Sequence, residues 1–142
     1  MENTIWNMIT ISGNLESRKK LLETVKSKVQ ENVDFDFRSI IPIPENCHSF
    51  FSYWNTSSNV VDYEETNIKE NNENENTIIR FISSWTPPFP IFEKLASMFP
   101  ELEFLFQYED ECSDISGYEK YKNGASVEKK LGKYKDYPLY PD

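Results

Sequence analysis

Residues 77–108 restrict the possible folds of this chain more than any other segment, because they predict a strand, a helix and a strand in close succession. Thr77 to Trp85 is β-branched and aromatic, with apolar residues on both sides, which predicts a central strand. Pro87, Pro88 and Pro90 favour a helix entrance, and Pro100 prevents continuation of that helix. Leu102 to Tyr108 then alternates and predicts another strand. The apolar stripe of the helix consists of Ile91, Phe92, Leu95, Met98 and Phe99.

The N-terminal residues predict a similar unit. Ile5 to Ile11 is β-branched and aromatic and is followed by Ser12-Gly13, so it predicts the first strand. Asn14 is a typical helix N-cap, with Glu16 in the first turn. The helix that follows is expected to bury one side, formed by Leu21, Leu22, Val25 and Val29.

The segment between these units is less regular. Residues 31–58 contain Pro42 and Pro44, which exclude a central strand and favour an edge or a loop packed on the core. Asn59 to Glu65 predicts a strand. Asn67 to Asn76 is a run of Asn and Glu that is too polar to pack, and it predicts a mobile hairpin loop.

The order of these elements predicts an α+β fold. Strand, helix, strand, repeated once, is the order of the ferredoxin-like βαββαβ sandwich, in which two helices cover one face of a four-stranded antiparallel sheet. This domain is expected to span residues 1–124, and the Lys-, Tyr- and Pro-rich residues 125–142 are predicted to form a C-terminal strap. The other face of the sheet would be open to function.

Charge is distributed unevenly along the chain. The net charge is −9, and residues 45–118 carry fourteen acidic and three basic side chains. An acidic balance keeps a small protein soluble, and it can also form a binding surface. Because phosphate groups are repelled by carboxylates, this pattern disfavours nucleic acid and anionic membranes and favours a basic protein partner.

The candidate partner-binding residues are carboxylates near predicted strand ends together with two aromatic side chains. The carboxylates are expected to be solvated rather than to pair for acid/base chemistry or to hold Mg²⁺ or Ca²⁺. The set consists of Glu64, Glu65, Glu109, Asp110, Glu111, Asp114, Trp54 and Tyr108.

The C-terminal segment favours an alternative function. It mixes lysines with tyrosines, as single-strand nucleic-acid binders do, and the open sheet face would complete such a site. The same mixture also fits a strap that docks on an acidic body. The residues concerned are Lys129, Lys130, Lys133, Tyr134, Lys135 and Tyr137.

Catalytic motifs are not found in the sequence. His48 is the only histidine, and adjacent side chains such as Cys47 and His48 diverge in extended backbone, so a catalytic dyad is not expected. We therefore predict a non-enzymatic protein without a metal or cofactor. Two distant cysteines, no basic and apolar leader and no apolar run near the length of a membrane span predict a cytoplasmic protein. The sequence leaves the oligomeric state open.

Several short stretches resemble, in order, the YubB-like ferredoxin-like family of phage and plasmid proteins. They are Trp6, Ile9–Gly13, Ile40–Glu45, Trp54–Thr56, Phe81–Pro88, Phe99–Pro100 and Tyr108–Glu109. The family usually has Trp-Gly-Thr-Lys-Trp where this chain has Trp54 to Ser58, so a Gly and a second Trp are lost. The resemblance implies a ferredoxin-like fold and a mobile-element setting, and no reaction. In that setting, the basic partner would be a host nucleic-acid enzyme, and inhibition of a host defence nuclease such as a CRISPR effector is the sharpest hypothesis.

Overall fold

A computed structural model of the chain describes residues 3–46, 49–56, 59–60, 66–69 and 76–139. Within these ranges one antiparallel sheet packs against helices. The strands are β1 (Thr4–Ser12), β2 (Asn67–Lys69), β3 (Thr77–Ser84), β4 (Glu103–Asp110), β5 (Ile115–Lys122) and β6 (Ala125–Gly132). The α-helices are α1 (Leu15–Val25), α2 (Phe51–Trp54) and α3 (Phe89–Met98), and a single 3₁₀ turn lies at Phe37–Ser39.

The strand order is β2-β3-β1-β4-β5-β6. The first four strands follow the ferredoxin-like order, which confirms the predicted α+β class. The prediction of four strands is wrong, because the hairpin of β5 and β6 continues the sheet beyond β4. Residues 125–132 are therefore a strand rather than part of a strap. Of the predicted strap, residues 133–139 are described outside the sheet.

Local sequence explains α1. The Asn14 side chain accepts hydrogen bonds from the N–H groups of Glu16 and Ser17, at 2.8 and 3.2 Å, as an N-cap does. Leu21, Leu22 and Val25 are buried as predicted. The prediction for Val29 is wrong, because the chain turns extended at Lys26 and Val29 is 78% exposed beyond the helix end.

The middle of the chain differs more from expectation. β2 occupies the first residues of the segment predicted to be a loop, where it pairs with β3 and partly buries Ile68. Residues 61–65, most of the predicted second strand, lie outside the described ranges. Phe35 and Ile40 pack in the core, as expected of this proline-containing stretch.

Aromatic rings build the core on the helix-covered face of the sheet. Phe81 of β3 contacts Phe37 edge-on, with 5.8 Å between ring centroids. Phe92 of α3 stacks on Phe106 of β4 at 4.3 Å and 14°. Tyr121 of β5 meets Phe106 edge-on at 5.4 Å. These offset and edge contacts stabilise aromatic pairs beyond their buried area, so one continuous cluster fixes the helices on the sheet.

Candidate functional site

The sheet face opposite the helices, called the open face below, is formed by alternate residues of every strand. Strand register places Met8 of β1 between Arg80 of β3 and Gln107 of β4. Gln107 pairs in turn with Tyr118, and Tyr118 with Lys130. A row of side chains therefore crosses five strands, and neighbouring rows add Trp6, Thr10, Leu105 and Lys120.

Cations outnumber carboxylates on the open face. Each of its three carboxylates lies near a lysine ammonium: Glu128 near Lys120 at 3.7 Å, Glu103 near Lys122 at 3.6 Å and Glu109 near Lys135 at 3.7 Å. The strands contribute five cationic side chains in all, so the open face keeps a positive excess although the chain is acidic. They are Lys69, Arg80, Lys120, Lys122 and Lys130.

Residues 133–139, called the tail below, cross part of the open face. The Ser116 hydroxyl donates to the Lys133 carbonyl at 2.6 Å and accepts from the Tyr137 N–H at 2.9 Å. The Gln107 side chain donates to the Pro138 carbonyl at 3.3 Å, and Leu139 is buried. Of the strap predicted over residues 125–142, the tail thus docks on β4 and β5, whereas residues 125–132 form β6.

The tail brings tyrosines beside the open face. The Tyr137 ring lies 5.4 Å from the Tyr118 ring, edge-on. The Tyr118 hydroxyl donates to the Glu128 carboxylate, which raises the pKa of Tyr118 and lowers the pKa of Glu128. The Lys135 ammonium lies 4.8 Å from the centroid of the Tyr134 ring and 3.7 Å from the Glu109 carboxylate, and both neighbours raise its pKa. Trp6 is an aromatic side chain of the open face that remains 46% exposed.

Most residues of the alternative, nucleic-acid set come together on this face. Lys130, the register partner of Tyr118, is exposed, as are Lys133 and Lys135 of the tail, and Tyr134 and Tyr137 are half-buried. Lys129 is the exception. Its register partner is Glu119, and its ammonium lies 5.0 Å from the centroid of the Phe89 ring, on the helix-covered side of the sheet.

The acidic partner-binding set is not assembled in this way. The prediction that Trp54 and Tyr108 lie at a binding surface is wrong, because both are at most 1% exposed. The Trp54 indole donates to the Ile41 carbonyl at 2.9 Å, and the Tyr108 ring packs edge-on against Phe89. Such side chains reach a partner only if the core opens.

Two of the predicted surface carboxylates are also buried. Asp110 accepts hydrogen bonds from the N–H groups of Cys112 and Ser113, so it stabilises the β4–β5 turn. Glu109 is 7% exposed, and Lys135 lies over it. Their expected solvation is therefore wrong: alternation in β4 turns Asp110 toward the core side, and the tail covers Glu109.

Other members of that set are exposed or undescribed. Glu111 is exposed, and exposed Asp114 accepts a hydrogen bond from the Tyr134 N–H at 3.2 Å, so it helps to dock the tail. Glu64 and Glu65 lie outside the residues that the structure describes, as do Cys47 and His48.

The net negative charge of the chain lies mostly in its undescribed segments. Eight of the 24 acidic residues and none of the 15 basic residues fall there, six of the eight in residues 61–65 and 70–75. The described body thus carries sixteen acidic and fifteen basic residues. The charge argument against phosphate binding weakens accordingly for the open face.

A second exposed aromatic lies at the end of β3. Thr56 clamps Ser84: its hydroxyl donates to the Ser84 carbonyl at 2.8 Å and accepts from the Ser84 N–H at 2.9 Å. The Asn55 amide donates to the Pro87 carbonyl at 3.0 Å. Between these two clamps Trp85 has a left-handed backbone, φ 71°, and is 45% exposed. Trp85 was predicted to be the last residue of this strand, and it lies outside because β3 ends at Ser84.

Asn55 stands where the YubB-like pattern has a glycine. Asn55 ends α2 with φ 59° and ψ 28°, a left-handed conformation that glycine adopts freely and asparagine tolerates better than most residues. Loss of the glycine therefore leaves the turn intact.

The sequence predictions missed several side chains of the open face. Trp6, Arg80, Lys120 and Lys122 were in neither predicted set, although Lys130 and Glu109 were. Alternation in Thr4–Ser12 carries the necessary signal, because Ile5, Ile9 and Ile11 share one face and Trp6 lies on the other. β5 is harder to detect, since it contains Gly117 followed by five charged or tyrosine positions in succession.

The described residues show neither a metal-ligand cluster nor a helix that could span a membrane. No group of three or more His, Cys, Asp or Glu among them could hold a metal ion. No helix in this part of the chain is both long and apolar enough to cross a bilayer.

Comparison with known proteins supports the fold. A crystal structure of protein api92 from Yersinia pseudotuberculosis matches with a TM-score of 0.54 and 18% identity, over 73% of this chain and 41% of that chain. The chain thus spans less than half the length of that protein, and the likeness shows the fold alone. No curated protein matches significantly. The model of a family described as the ferredoxin-like domain in Api92-like protein matches residues 50–137, from α2 through β6 into the tail. With more than half of its length matched, this chain belongs to the Api92-like ferredoxin-like domain family.

Proposed function

We propose that this domain binds single-stranded nucleic acid on the open face of its sheet. The observation that carries the proposal is the positive excess of that face, which lies beside exposed Trp6 and beside the tyrosines of the tail. Single-strand binders combine cations that follow the backbone with aromatic rings on which bases stack. Four-stranded sheets with aromatic residues on one face bind RNA in this way, which is an analogy of fold.

Trp6 is the stacking residue in this proposal. It stands on β1 beside Glu109, and its ring is nearly half exposed although the neighbouring Met8 and Ile82 are buried. A base stacked on a protein aromatic contributes roughly 1–3 kcal/mol. We therefore expect Trp6→Ala to weaken binding of a single-stranded oligonucleotide by about tenfold or more.

Lys120 and Lys122 are the backbone-contacting residues. Both are more than half exposed at their side chains and lie with Thr10 and Leu105 along a shallow groove of about 370 Å³. Each phosphate neutralised on a single strand lowers the logarithm of the affinity by about 0.7 per logarithmic unit of salt. Lys120→Gln with Lys122→Gln should therefore flatten the salt dependence by roughly 1.4 in slope.

The experiment is a fluorescence-anisotropy titration with labelled single-stranded RNA and DNA over a range of salt concentrations. Lys19→Gln with Lys20→Gln is the matched control. These substitutions remove the same charge from exposed positions of α1, which packs on the other face of the sheet. Wild type and control should bind alike, and the two open-face variants more weakly. Absence of binding at low salt and micromolar protein, or equal losses in both lysine pairs, would overturn the proposal.

The concentration of acidic residues in 61–65 and 70–75 favours a second candidate function, recognition of a basic protein partner. In the mobile-element setting of YubB-like proteins, we propose a host nucleic-acid enzyme, such as a defence nuclease, as that partner. Such a complex should weaken steeply with salt. Glu64→Gln, Glu65→Gln, Glu73→Gln and Glu75→Gln together should release a captured partner, whereas persistence of the complex at about 0.5 M salt counts against it.

A further inference from the structure

β6 ends the sheet, and its outer side pairs with none of the described strands. The strand is eight residues long, with seven of them exposed. Two of the exposed residues are large and apolar: Val127 is 58% exposed and Leu131 65%. A long edge with unpaired backbone groups and exposed apolar side chains is a template for another strand.

Residues 128–130, Glu-Lys-Lys, are complementary to themselves. When two copies pair antiparallel about Lys129, residue 128 of one copy faces residue 130 of the other. Each Glu128 then meets a Lys130, and twofold symmetry makes this contact occur twice. The regular part of the strand begins at Glu128, because β6 has a bulge at Val127.

The register about Lys129 is better than its neighbours. Twofold pairing about Glu128 would oppose two carboxylates, and pairing about Lys130 would place Glu128 opposite Gly132, so each loses the Glu–Lys contacts. The two Lys129 side chains meet at the symmetry axis, where like charges repel. Each ammonium is, however, drawn away toward the Phe89 ring of its own chain at 5.0 Å. Charged edge residues disfavour unrelated strands, and here they permit a second copy of the same strand.

We infer that two copies of this chain associate through β6, antiparallel about Lys129, and so join their sheets into one. Opposed residues of an antiparallel pair lie on the same face, so the two open faces lie on the same side of the joined sheet. The inference rests on the edge and its charges alone, independently of what the open face binds.

Charge reversal tests the pairing in the full chain, by sedimentation velocity from micromolar to millimolar protein. Wild type should shift from the 16.8 kDa monomer toward twice that mass as concentration rises. Lys130→Glu places a carboxylate opposite Glu128 at both symmetry-related contacts and should weaken dimerisation roughly tenfold or more. Glu128→Lys combined with Lys130→Glu should restore it. Lys133→Glu, the same charge change just beyond β6, is the control and should dimerise like wild type.

A monomer at every concentration, a double variant no better than the single one, or an equal loss in the control would each overturn the proposal. Because Glu128 also accepts a hydrogen bond from Tyr118, circular dichroism of each variant establishes that its fold persists. A second measurement, of cross-linking, tests the register without changing Glu128 or Lys130.

That measurement uses cysteine cross-linking in a background with Cys47→Ser and Cys112→Ser. Lys129→Cys lies on the twofold axis, where opposed Cα atoms approach to about 4.5–5.5 Å and permit a disulfide. Ala125→Cys is four positions from the axis on the same strand and should stay monomeric under the same mild oxidant. Equal cross-linking of the two variants, or none in Lys129→Cys, would contradict the register.

Discussion

The two faces of the sheet differ in what they require of the sequence. On the helix-covered face, Ile9, Ile79 and Phe106 stand side by side across three strands and are fully buried. On the open face one position along, Thr10, Ile78 and Leu105 are each partly exposed. The covered face fixes register and topology, because a slip of one residue would expose its whole apolar set. The open face is under no such constraint, so its cations and Trp6 are available for binding.

The largest test of this contrast concerns Trp54, which was expected at a surface and is buried among core rings. Trp54→Ala should lower the free energy of unfolding by about 3–5 kcal/mol, because the indole leaves a cavity that the core fills incompletely. Phe51 on the same short helix is 43% exposed and supplies the control. Phe51→Ala should cost under about 1 kcal/mol. Chemical denaturation measures both, and similar losses would mean that Trp54 is not a core residue.

A smaller loss is expected from the clamp at Thr56. Thr56→Val keeps the shape of the side chain but removes both hydrogen bonds between the Thr56 hydroxyl and the Ser84 backbone, whose carbonyl also accepts from the Thr86 N–H. We expect a loss of about 2–3 kcal/mol. Thr10→Val, the same change on the open face, should alter the unfolding free energy by less than about 0.5 kcal/mol. Should the two substitutions have equal effects, the clamp does not stabilise the end of β3.

Two tryptophans of equal exposure sharpen the comparison further. Trp85, 45% exposed, has a left-handed backbone, whereas Trp6, 46% exposed, lies in an extended strand. Asparagine tolerates the left-handed region, so Trp85→Asn should leave stability unchanged or raise it by up to about 1 kcal/mol. Trp6→Asn should lower it by about 1 kcal/mol, because asparagine is disfavoured in strands. A reversed order in thermal unfolding would show that Trp85 is held by packing rather than strained.

The smallest expected effect concerns the buried tyrosines Tyr121 and Tyr108, which change the free energy of unfolding only at alkaline pH. Burial, followed by the charge of Glu119, raises the pKa of Tyr121 and of Tyr108 above 10, the ordinary value. The unfolded chain then loses these protons at lower pH than the folded chain, so stability is intact below pH 10 and falls as pH rises above it. Tyr121→Phe should reduce that fall, measured as the denaturant midpoint between about pH 9 and 12. An unchanged slope would mean that Tyr121 titrates freely in the folded protein.

Patterns that depend on neighbours in sequence predicted much of this fold. The Asn14 cap, the proline-bounded α3, the central position of β3 and the buried alternation of β4 all follow from contacts within a few residues. Two strand–helix–strand units were sufficient to predict the ferredoxin-like class. The hairpin of β5 and β6 was missed because its residues are mostly polar, and it is held by pairing with β4 rather than by its own apolar periodicity.

The candidate site was predicted less well, since exposure is not a local property. Glu109 and Asp110 are typical surface residues by type, yet the tail covers one and the β4–β5 turn encloses the other. The lysines and tyrosines of the tail were singled out by composition alone. The position of the tail depends on the Ser116 hydroxyl, which donates to the Lys133 carbonyl and accepts from the Tyr137 N–H, 17 and 21 residues further along the chain.

The sequence by itself determined the class of fold, the start of α1, the limits of α3 and many of the apolar side chains that are buried, because spacing, caps and prolines act over one or two turns of chain. The tertiary structure alone decided that Trp54 is buried while Trp6 and Trp85 are exposed, and that a chain of net charge −9 has a face where cations outnumber carboxylates. The physical reason is that burial and local charge depend on which distant segments meet, and strand pairing brings together side chains that the sequence keeps about a hundred residues apart.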